Sequence, residues 1–255
     1  MDEVTFLLFV RQLSFDNLPR CFIVLNNILG LQGAVFRVYG ERDADNKTYD
    51  FDAIKGGQWH ELYRKEGNIF FELNDINGRI SRIDGFENFS VDLKRTDIVP
   101  RRLIDMFKSI SELLRADLSF LFGENRGSGK YFNIAYGSND AGLGVSAGLR
   151  DIYWLNYYGK PFVDAIGMHK LRELPVFDFA ETESGVFFQT TENVEDAVEV
   201  KDSIIEQLGI QYFVPRTKPI KFADSSGFLG LAKHLLAIMR LPKDLGEAAV
   251  RPRFD

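Results

Sequence analysis

The segment Tyr153–Pro161 constrains the fold more than any other part of this 255-residue chain. Its first six residues, Tyr153–Tyr158, are aromatic and apolar enough to predict a buried strand. Gly159 and Lys160 predict a turn, and Pro161 suits the start of a helix, because the N–H that proline lacks would have no partner there. The segment therefore predicts a strand that passes directly into a helix.

The pleat of this strand predicts that both of its faces are covered. Alternate residues point to opposite faces, and here each face is mostly apolar, as in a central strand buried on both sides. We therefore expect Trp154 to be buried and its indole N–H to be hydrogen-bonded. The two predicted faces are Trp154, Asn156 and Tyr158, and Tyr153, Leu155 and Tyr157.

The residues that follow predict a helix and a hairpin. Helical spacing runs over 161–174 and ends before Pro175. Two short strands, 176–179 and 186–189, flank a turn at Glu183-Ser184-Gly185. The predicted core face of the helix holds Phe162, Ala165, Ile166 and His169.

This segment resembles a known family. The strand reads Trp-Leu-Asn-Tyr-Tyr-Gly over 154–159, and a helix, Leu174-Pro175, a hairpin rich in Phe and an acidic helix follow it. Over roughly residues 150–210 the pattern resembles bacterial polymorphic-toxin immunity proteins of the immunity protein 52-like family, which carry a Trp-Leu-Asn-Tyr-Phe-Gly-like strand before a helix. The resemblance implies a cytoplasmic, non-enzymatic protein that neutralises a cognate toxin by occluding it. It identifies no residue that contacts the toxin.

The composition predicts a folded cytoplasmic protein. Apolar residues make up 45% of the chain, and its 23 Phe favour aromatic contacts between sheets and helices. The single cysteine, Cys21, excludes an intramolecular disulfide and a cysteine-based zinc site. The acidic N-terminus lacks the basic start of a signal peptide, and the apolar run Phe6–Val10 is too short to span a bilayer.

The formal net charge of −6 favours a basic partner. A negative field repels phosphate backbones and attracts basic surfaces. We therefore expect neither nucleic acid nor membrane as a partner.

The order of elements predicts an α+β fold. The first 122 residues read β-α-β-β-(β)-α-β, and a second β-α-β-β-α series starts at Tyr153. Together they predict two ferredoxin-like, split β-α-β layers in tandem, with mostly antiparallel sheets and helices packed on them. A Gly/Ser/Asn-rich linker, 126–150, would separate an N-terminal α+β domain, 1–125, from a C-terminal α+β domain, 151–255.

Local signals set the boundaries within this order. Asp16 is predicted to cap the first helix and Gly30 to end it, while Pro100 opens a second helix. Turns are predicted at Gly56-Gly57, Asn77-Gly78 and Asp84-Gly85, and a further helix over 228–239, before a tail that starts after Leu241.

Two glycine-rich stretches, one of them within the loop 137–148, contain the motifs that come nearest to catalytic ones. Gly144–Gly148 matches Gly-x-Ser-x-Gly, but loop residues precede Ser146 and a strand follows, whereas a nucleophile elbow needs a strand before and a helix after. Gly127-Ser128-Gly129-Lys130 departs from a phosphate loop at Glu124 and Tyr131. No catalytic, cofactor or metal residue is predicted. A small-molecule enzyme or ligand sensor that uses the 137–148 loop is the alternative function.

An acidic helix predicted over 193–208 is the candidate binding surface. Its apolar face would be Val194, Ala197, Val198, Ile204, Ile205 and Leu208, and Lys201 is the one basic residue among nine acids over 178–206. The carboxylates are either a solvated helix face or a patch complementary to a basic toxin, such as one that degrades nucleic acid. The predicted partner-binding residues are Glu192, Glu195, Asp196, Glu199, Asp202 and Glu206.

Overall fold

The computed structural model describes residues 3–29, 36–40, 47–49, 56–73, 76–83, 85–93, 98–124, 148–149, 151–213 and 252–253. Some sequence predictions lie outside these residues: most of the linker 126–150, the helix end at Gly30, the helix 228–239 and the tail after Leu241. We call residues 3–124 the N-terminal half and residues 151–213 the C-terminal half.

Ten strands and six α-helices make up the described part of the chain. The strands are β1 (Glu3–Val10), β2 (Phe36–Gly40), β3 (Lys47–Tyr49), β4 (Ile69–Leu73), β5 (Ile76–Ile83), β6 (Phe86–Leu93), β7 (Leu118–Glu124), β8 (Leu155–Gly159), β9 (Asp178–Glu181) and β10 (Gly185–Gln189). The helices are α1 (Leu18–Leu29), α2 (Gly56–Glu66), α3 (Pro100–Leu113), α4 (Lys160–Ile166), α5 (Met168–Arg172) and α6 (Ala197–Leu208).

All described strands belong to one antiparallel sheet with helices packed on it, which confirms the α+β class. Their order is β3-β2-β4-β5-β6-β1-β7-β8-β10-β9. β10 pairs antiparallel with both β8 and β9, so β8 and β9 run parallel on either side of it, which is a split β-α-β unit. β6 lies in the same way between β1 and β5.

The two halves share this sheet through β7 and β8. These strands pair from Leu118↔Tyr158 to Leu121↔Leu155. Phe120 of β7 also stacks on Tyr153, with ring centroids 4.1 Å apart. The predicted domain boundaries, 1–125, 126–150 and 151–255, stay a prediction.

The helices cover the two faces of the sheet unequally. Apolar residues of α1, α2 and α3 pack with Val4, Phe6 and Leu8 of β1 on what we call the first face. Apolar residues of α4, α5 and α6 pack with β7, β8 and β10 on the second face, where Leu7 and Phe9 of β1 also lie. Because β8 is covered on both faces, every residue of that strand is buried.

The burial of Trp154 and its indole hydrogen bond are confirmed, but the predicted faces are wrong for the first two residues. β8 begins only at Leu155, and Trp154 packs with Leu155 and Tyr157 on the first face, whereas Tyr153 packs with Tyr158 on the second. The Trp154 side chain is 2% exposed, and its indole N–H donates to the carbonyl oxygen of Thr191 at 2.9 Å. Asn156 is also buried and bonds both backbone polar groups of Tyr153, at 3.1 and 2.8 Å. Gly159 ends the strand where a Cβ would overlap the backbone carbonyl of Ala116, so the close approach of the chains requires glycine.

The predicted helix 161–174 is two helices. Gly167 lies between α4 and α5 with φ +94°, a conformation that L side chains rarely adopt, and it breaks the helical path. The break turns His169 to the surface, so its predicted core position is wrong, whereas Phe162 and Ile166 are buried as predicted.

Three local predictions in the N-terminal half are also wrong. Gly56-Gly57 begins α2, whose Trp59 is buried, instead of forming a turn. Asn77-Gly78 lies within β5, because a glycine there leaves room for the ring of Phe71, which a Cβ would overlap. Asp16 lies inside a 3₁₀ turn, Phe15–Asn17, and does not cap α1. The helix at Pro100 and the turn at Gly85 occur as predicted.

Candidate partner-binding surface

The predicted acidic helix is a 3₁₀ turn, Val194–Asp196, followed by α6. The six predicted carboxylates all lie on its exposed side, and we call them the acidic stripe: Glu192, Glu195, Asp196, Glu199, Asp202 and Glu206. Glu199, Asp202 and Glu206 are spaced by three and four residues on α6, so they are neighbours along its surface; Glu195 and Asp196 lie in the 3₁₀ turn before it, and Glu192 in the preceding loop. The structure therefore brings the predicted residues together.

The opposite side of α6 packs on the second face of the sheet. Ile204, Ile205 and Leu208 are buried there, and Ala197 is buried in the same cluster as Trp154, in agreement with the predicted apolar face. Val198 is 37% exposed, so its predicted burial is wrong. Its place on the helical wheel explains this, because at 100° per residue it falls between the apolar side and the stripe.

Side chains of the sheet hold the loop before α6 in place. The carbonyl oxygen of Thr191 accepts hydrogen bonds from the Trp154 indole at 2.9 Å and from the Gln189 amide at 2.8 Å. The same amide donates to the carbonyl oxygen of Glu192 at 3.2 Å. Buried residues of the sheet thus fix the first residue of the acidic stripe.

The one basic residue of α6, Lys201, points away from the stripe. Lys201 forms an ion pair with Asp151 at 3.2 Å, and their side chains are only 19% and 10% exposed. Lys201 shares the apolar side of α6 with Ala197 and Leu208, which a helical wheel of the sequence would have shown. Its charge is therefore directed into the protein and does not lie within the stripe.

Two of the other acids of this region, both on β9, form ion pairs. Asp178 pairs with Lys108 at 3.3 Å, and Glu181 pairs with Arg172 at 2.7 Å. The hydrogen bonds from Arg172 lower the pKa of Glu181 below its usual value. These acids are locally compensated, so we do not count them in the candidate surface.

The glycine-rich region lies almost wholly outside the described residues. Of Gly144–Gly148 the structure describes only Gly148, and Leu149 follows with its N–H donating to the carbonyl oxygen of Tyr212 at 2.9 Å. The alternative function of this loop therefore stays a prediction. Burial raises the pKa of the Cys21 thiol to about 12, so it stays protonated.

The described residues contain neither a candidate metal cluster nor a candidate membrane-spanning helix. They contain no group of three or more His, Cys, Asp or Glu side chains that could hold a metal ion. Within the same part of the chain, no helix has the length and apolar character needed to cross a bilayer.

The comparisons with known proteins identify a structural relative and no family. No family model matches the chain, and no curated protein matches it by sequence. Among solved structures, the Pseudomonas aeruginosa T6SS protein PA0821 matches with a TM-score of 0.55 at 12% identity, over 99% of this chain and 87% of that one. The chain therefore shares its fold with a bacterial T6SS protein along nearly its whole length.

Proposed function

We propose that this protein is an immunity protein that binds a cognate bacterial toxin and neutralises it by occlusion, through the acidic stripe. The observation that carries the proposal is that six exposed carboxylates follow one another along α6 and the turn and loop before it, while the neighbouring Lys201 is turned inward. The similarity to a protein of a bacterial secretion system and the resemblance of residues 150–210 to immunity proteins support it.

Charge attraction explains how such a surface would work. Oppositely charged faces steer two proteins together and raise the association rate, most strongly at low salt. The proposed toxin is basic, as enzymes that degrade nucleic acid tend to be, and the proposed site of neutralisation is the cytoplasm. Inhibition requires only that the bound protein cover the active site of the toxin, so the protein needs no catalytic residue or cofactor.

The position of α6 favours tight binding. Its apolar side is packed on the sheet, and the Thr191 and Glu192 carbonyls before it are bonded to Trp154 and Gln189. A surface that is already ordered loses less conformational entropy on binding than a mobile one. The stripe therefore presents its charges in a fixed arrangement.

Co-expression with the toxin encoded beside the gene tests the proposal. We expect the wild-type protein to protect the host cell and to bind the purified toxin. The triple variant Glu195→Lys, Glu199→Lys, Asp202→Lys should associate at least about tenfold more slowly at low salt, and the difference should shrink as salt rises.

A matched triple variant controls for net charge. Glu61, Asp105 and Glu112 are exposed acids on α2 and α3, on the first face of the sheet, and their reversal to Lys changes the net charge equally. This variant should bind the toxin like the wild type. Equal losses in the two triple variants would mean that net charge, not the stripe, drives association. Protection without any loss in the stripe variant would place the interface elsewhere.

A further inference from the structure

A small apolar cleft lies where the start of α6 meets the end of β7 and the segment before β8. Its volume is about 20 Å³, which is space for roughly one small group, such as the tip of a side chain. Because Ala197 and Val198 lie between Asp196 and Glu199 in the sequence, the cleft adjoins the acidic stripe. Its walls include six apolar or aromatic residues from these three elements: Phe122, Ile152, Tyr153, Trp154, Ala197 and Val198.

The walls of the cleft suit an apolar group. Among the described residues around it, Lys201 is the only charged one, and its ammonium group is paired with Asp151 at 3.2 Å. The aliphatic stem of Lys201 therefore forms part of the wall. A water molecule is held in a space of this size only where it finds roughly two to four polar partners. An apolar group is favoured there instead, because burying apolar surface lowers the free energy.

Val198 connects the cleft with the acidic stripe. Its side chain lines the cleft and is 37% exposed, which makes it one of the few large apolar side chains at the surface. Asp202 follows it by four residues on α6, so the two lie about 40° apart on the helical wheel and are neighbours along the helix. A partner bound to the stripe therefore reaches the cleft at Val198.

The stripe and the cleft supply the two parts that a protein interface combines. Charges at the exposed rim of an interface mainly raise the association rate. Apolar groups that fill desolvated pockets near the centre carry most of the affinity, and their loss is felt mainly as faster dissociation. The stripe provides only the first of these parts, and the cleft beside it provides the second.

We propose that the cleft receives the tip of an aliphatic side chain, of the Leu, Ile or Met class, from the basic surface that binds the acidic stripe. The volume of the cleft excludes an aromatic ring, and its apolar walls exclude a charged group. The carboxylates beside it favour Lys and Arg around that side chain. This inference rests on the proposed function, because the partner is the toxin that the stripe binds.

The variant Val198→Asp tests the cleft. Surface plasmon resonance with the purified toxin encoded beside the gene measures its association and dissociation rates. The substitution adds a carboxylate beside the stripe, so charge attraction alone predicts equal or faster association and no faster dissociation. The cleft predicts that dissociation becomes at least about fivefold faster, because the new charge would be desolvated against the incoming apolar group. The two explanations therefore predict opposite changes in affinity.

Ile23→Asp is the matched control. Ile23 is also a β-branched helical residue, it is 46% exposed, and its helix α1 packs on the first face of the sheet. The charge change is the same, so this variant should keep the wild-type dissociation rate. Val198→Ala adds no charge and should raise the dissociation rate about twofold. It serves as the second variant if Val198→Asp fails to fold by circular dichroism.

The outcomes separate this inference from the proposed function. Faster dissociation of Val198→Asp, with Ile23→Asp unchanged, supports the cleft. A wild-type dissociation rate in both Val198 variants overturns the cleft, and the proposed function then stands if the triple stripe variant still associates slowly. A wild-type protein that does not bind the toxin overturns both. A wild-type dimer in sedimentation velocity that Val198→Asp separates would assign the cleft to a second copy of this chain and overturn the inference as well.

Discussion

The second face of the sheet is apolar over β7, β8 and β10 and carries several polar side chains over β5 and β6. On β7, β8 and β10 it carries Phe120, Tyr158 and Phe188, which α4–α6 cover. On β5 and β6 the same face carries Ser81 and Asn88 among other polar residues, although both are buried. Buried apolar groups stabilise a fold, whereas buried polar groups need a reason to be there. The comparison therefore assigns stability to this face over β7, β8 and β10, and predicts a smaller contribution to stability from its polar residues on β5 and β6.

The largest effect is expected from Trp154→Ala in the C-terminal half. Removing a large buried aromatic side chain leaves a cavity and should lower the free energy of unfolding by about 3–5 kcal/mol. Urea denaturation measures this, with Phe177→Ala as a control, because Phe177 is 59% exposed. A change below about 1 kcal/mol for Trp154→Ala would mean that the apolar packing around β8 does not carry the stability.

A smaller effect is expected where α3 meets β7. The hydroxyls of Ser111 and Ser119 are buried and bonded to each other at 2.6 Å. Ser111→Ala leaves the other hydroxyl without its partner and should destabilise by about 1–3 kcal/mol. The double variant with Ser119→Ala should recover part of this loss. Strictly additive losses in this double-mutant cycle would show that the pair contributes nothing as a pair.

On β5, Ser81→Ala should change the free energy of unfolding in the opposite direction. It removes a buried hydroxyl that has no hydrogen-bond partner among the described residues, so we expect the free energy of unfolding to stay equal or to rise by up to about 1 kcal/mol. Ser90→Ala, on the neighbouring strand β6, removes a hydrogen-bonded hydroxyl and should lower the free energy of unfolding by about 0.5–1 kcal/mol. A clear loss of stability in Ser81→Ala would contradict the distinction between the stabilising apolar residues and the polar residues of the second face.

The smallest effect is expected on the acidic stripe. Glu206→Lys relieves the repulsion from Asp202 four residues earlier and places a cation near the C-terminus of α6, so it should stabilise by about 0.5 kcal/mol at low salt. Glu206→Gln removes the repulsion only and should give about half of that. Thermal unfolding at low and high salt separates the two, since the gain should fade as salt rises.

The sequence predicted features that depend on local patterns. The alternation in β8, the spacing in α3 and the carboxylates of α6 follow from periods that the chain displays directly. The polar cross-strand row on the second face could not be predicted, because its residues are far apart in the sequence. Thr5, Asn77 and Asp92 become neighbours only through the strand registers. Two glycines led to wrong predictions. Gly78 was expected in a turn but lies within a strand, where it leaves room for the Phe71 ring, and Gly167 divides what was expected to be one helix.

The seam formed by the paired strands β7 and β8 should make the two halves unfold together. Its backbone hydrogen bonds and the stack of Phe120 on Tyr153 join segments from the two halves of the chain. Opening it would also uncover the first face of β8, where residues of α3 pack with Leu155 and Tyr157, so the halves should melt in a single cooperative transition. A protein cut once between residues 124 and 151 should then migrate as one particle until denaturant separates the two pieces.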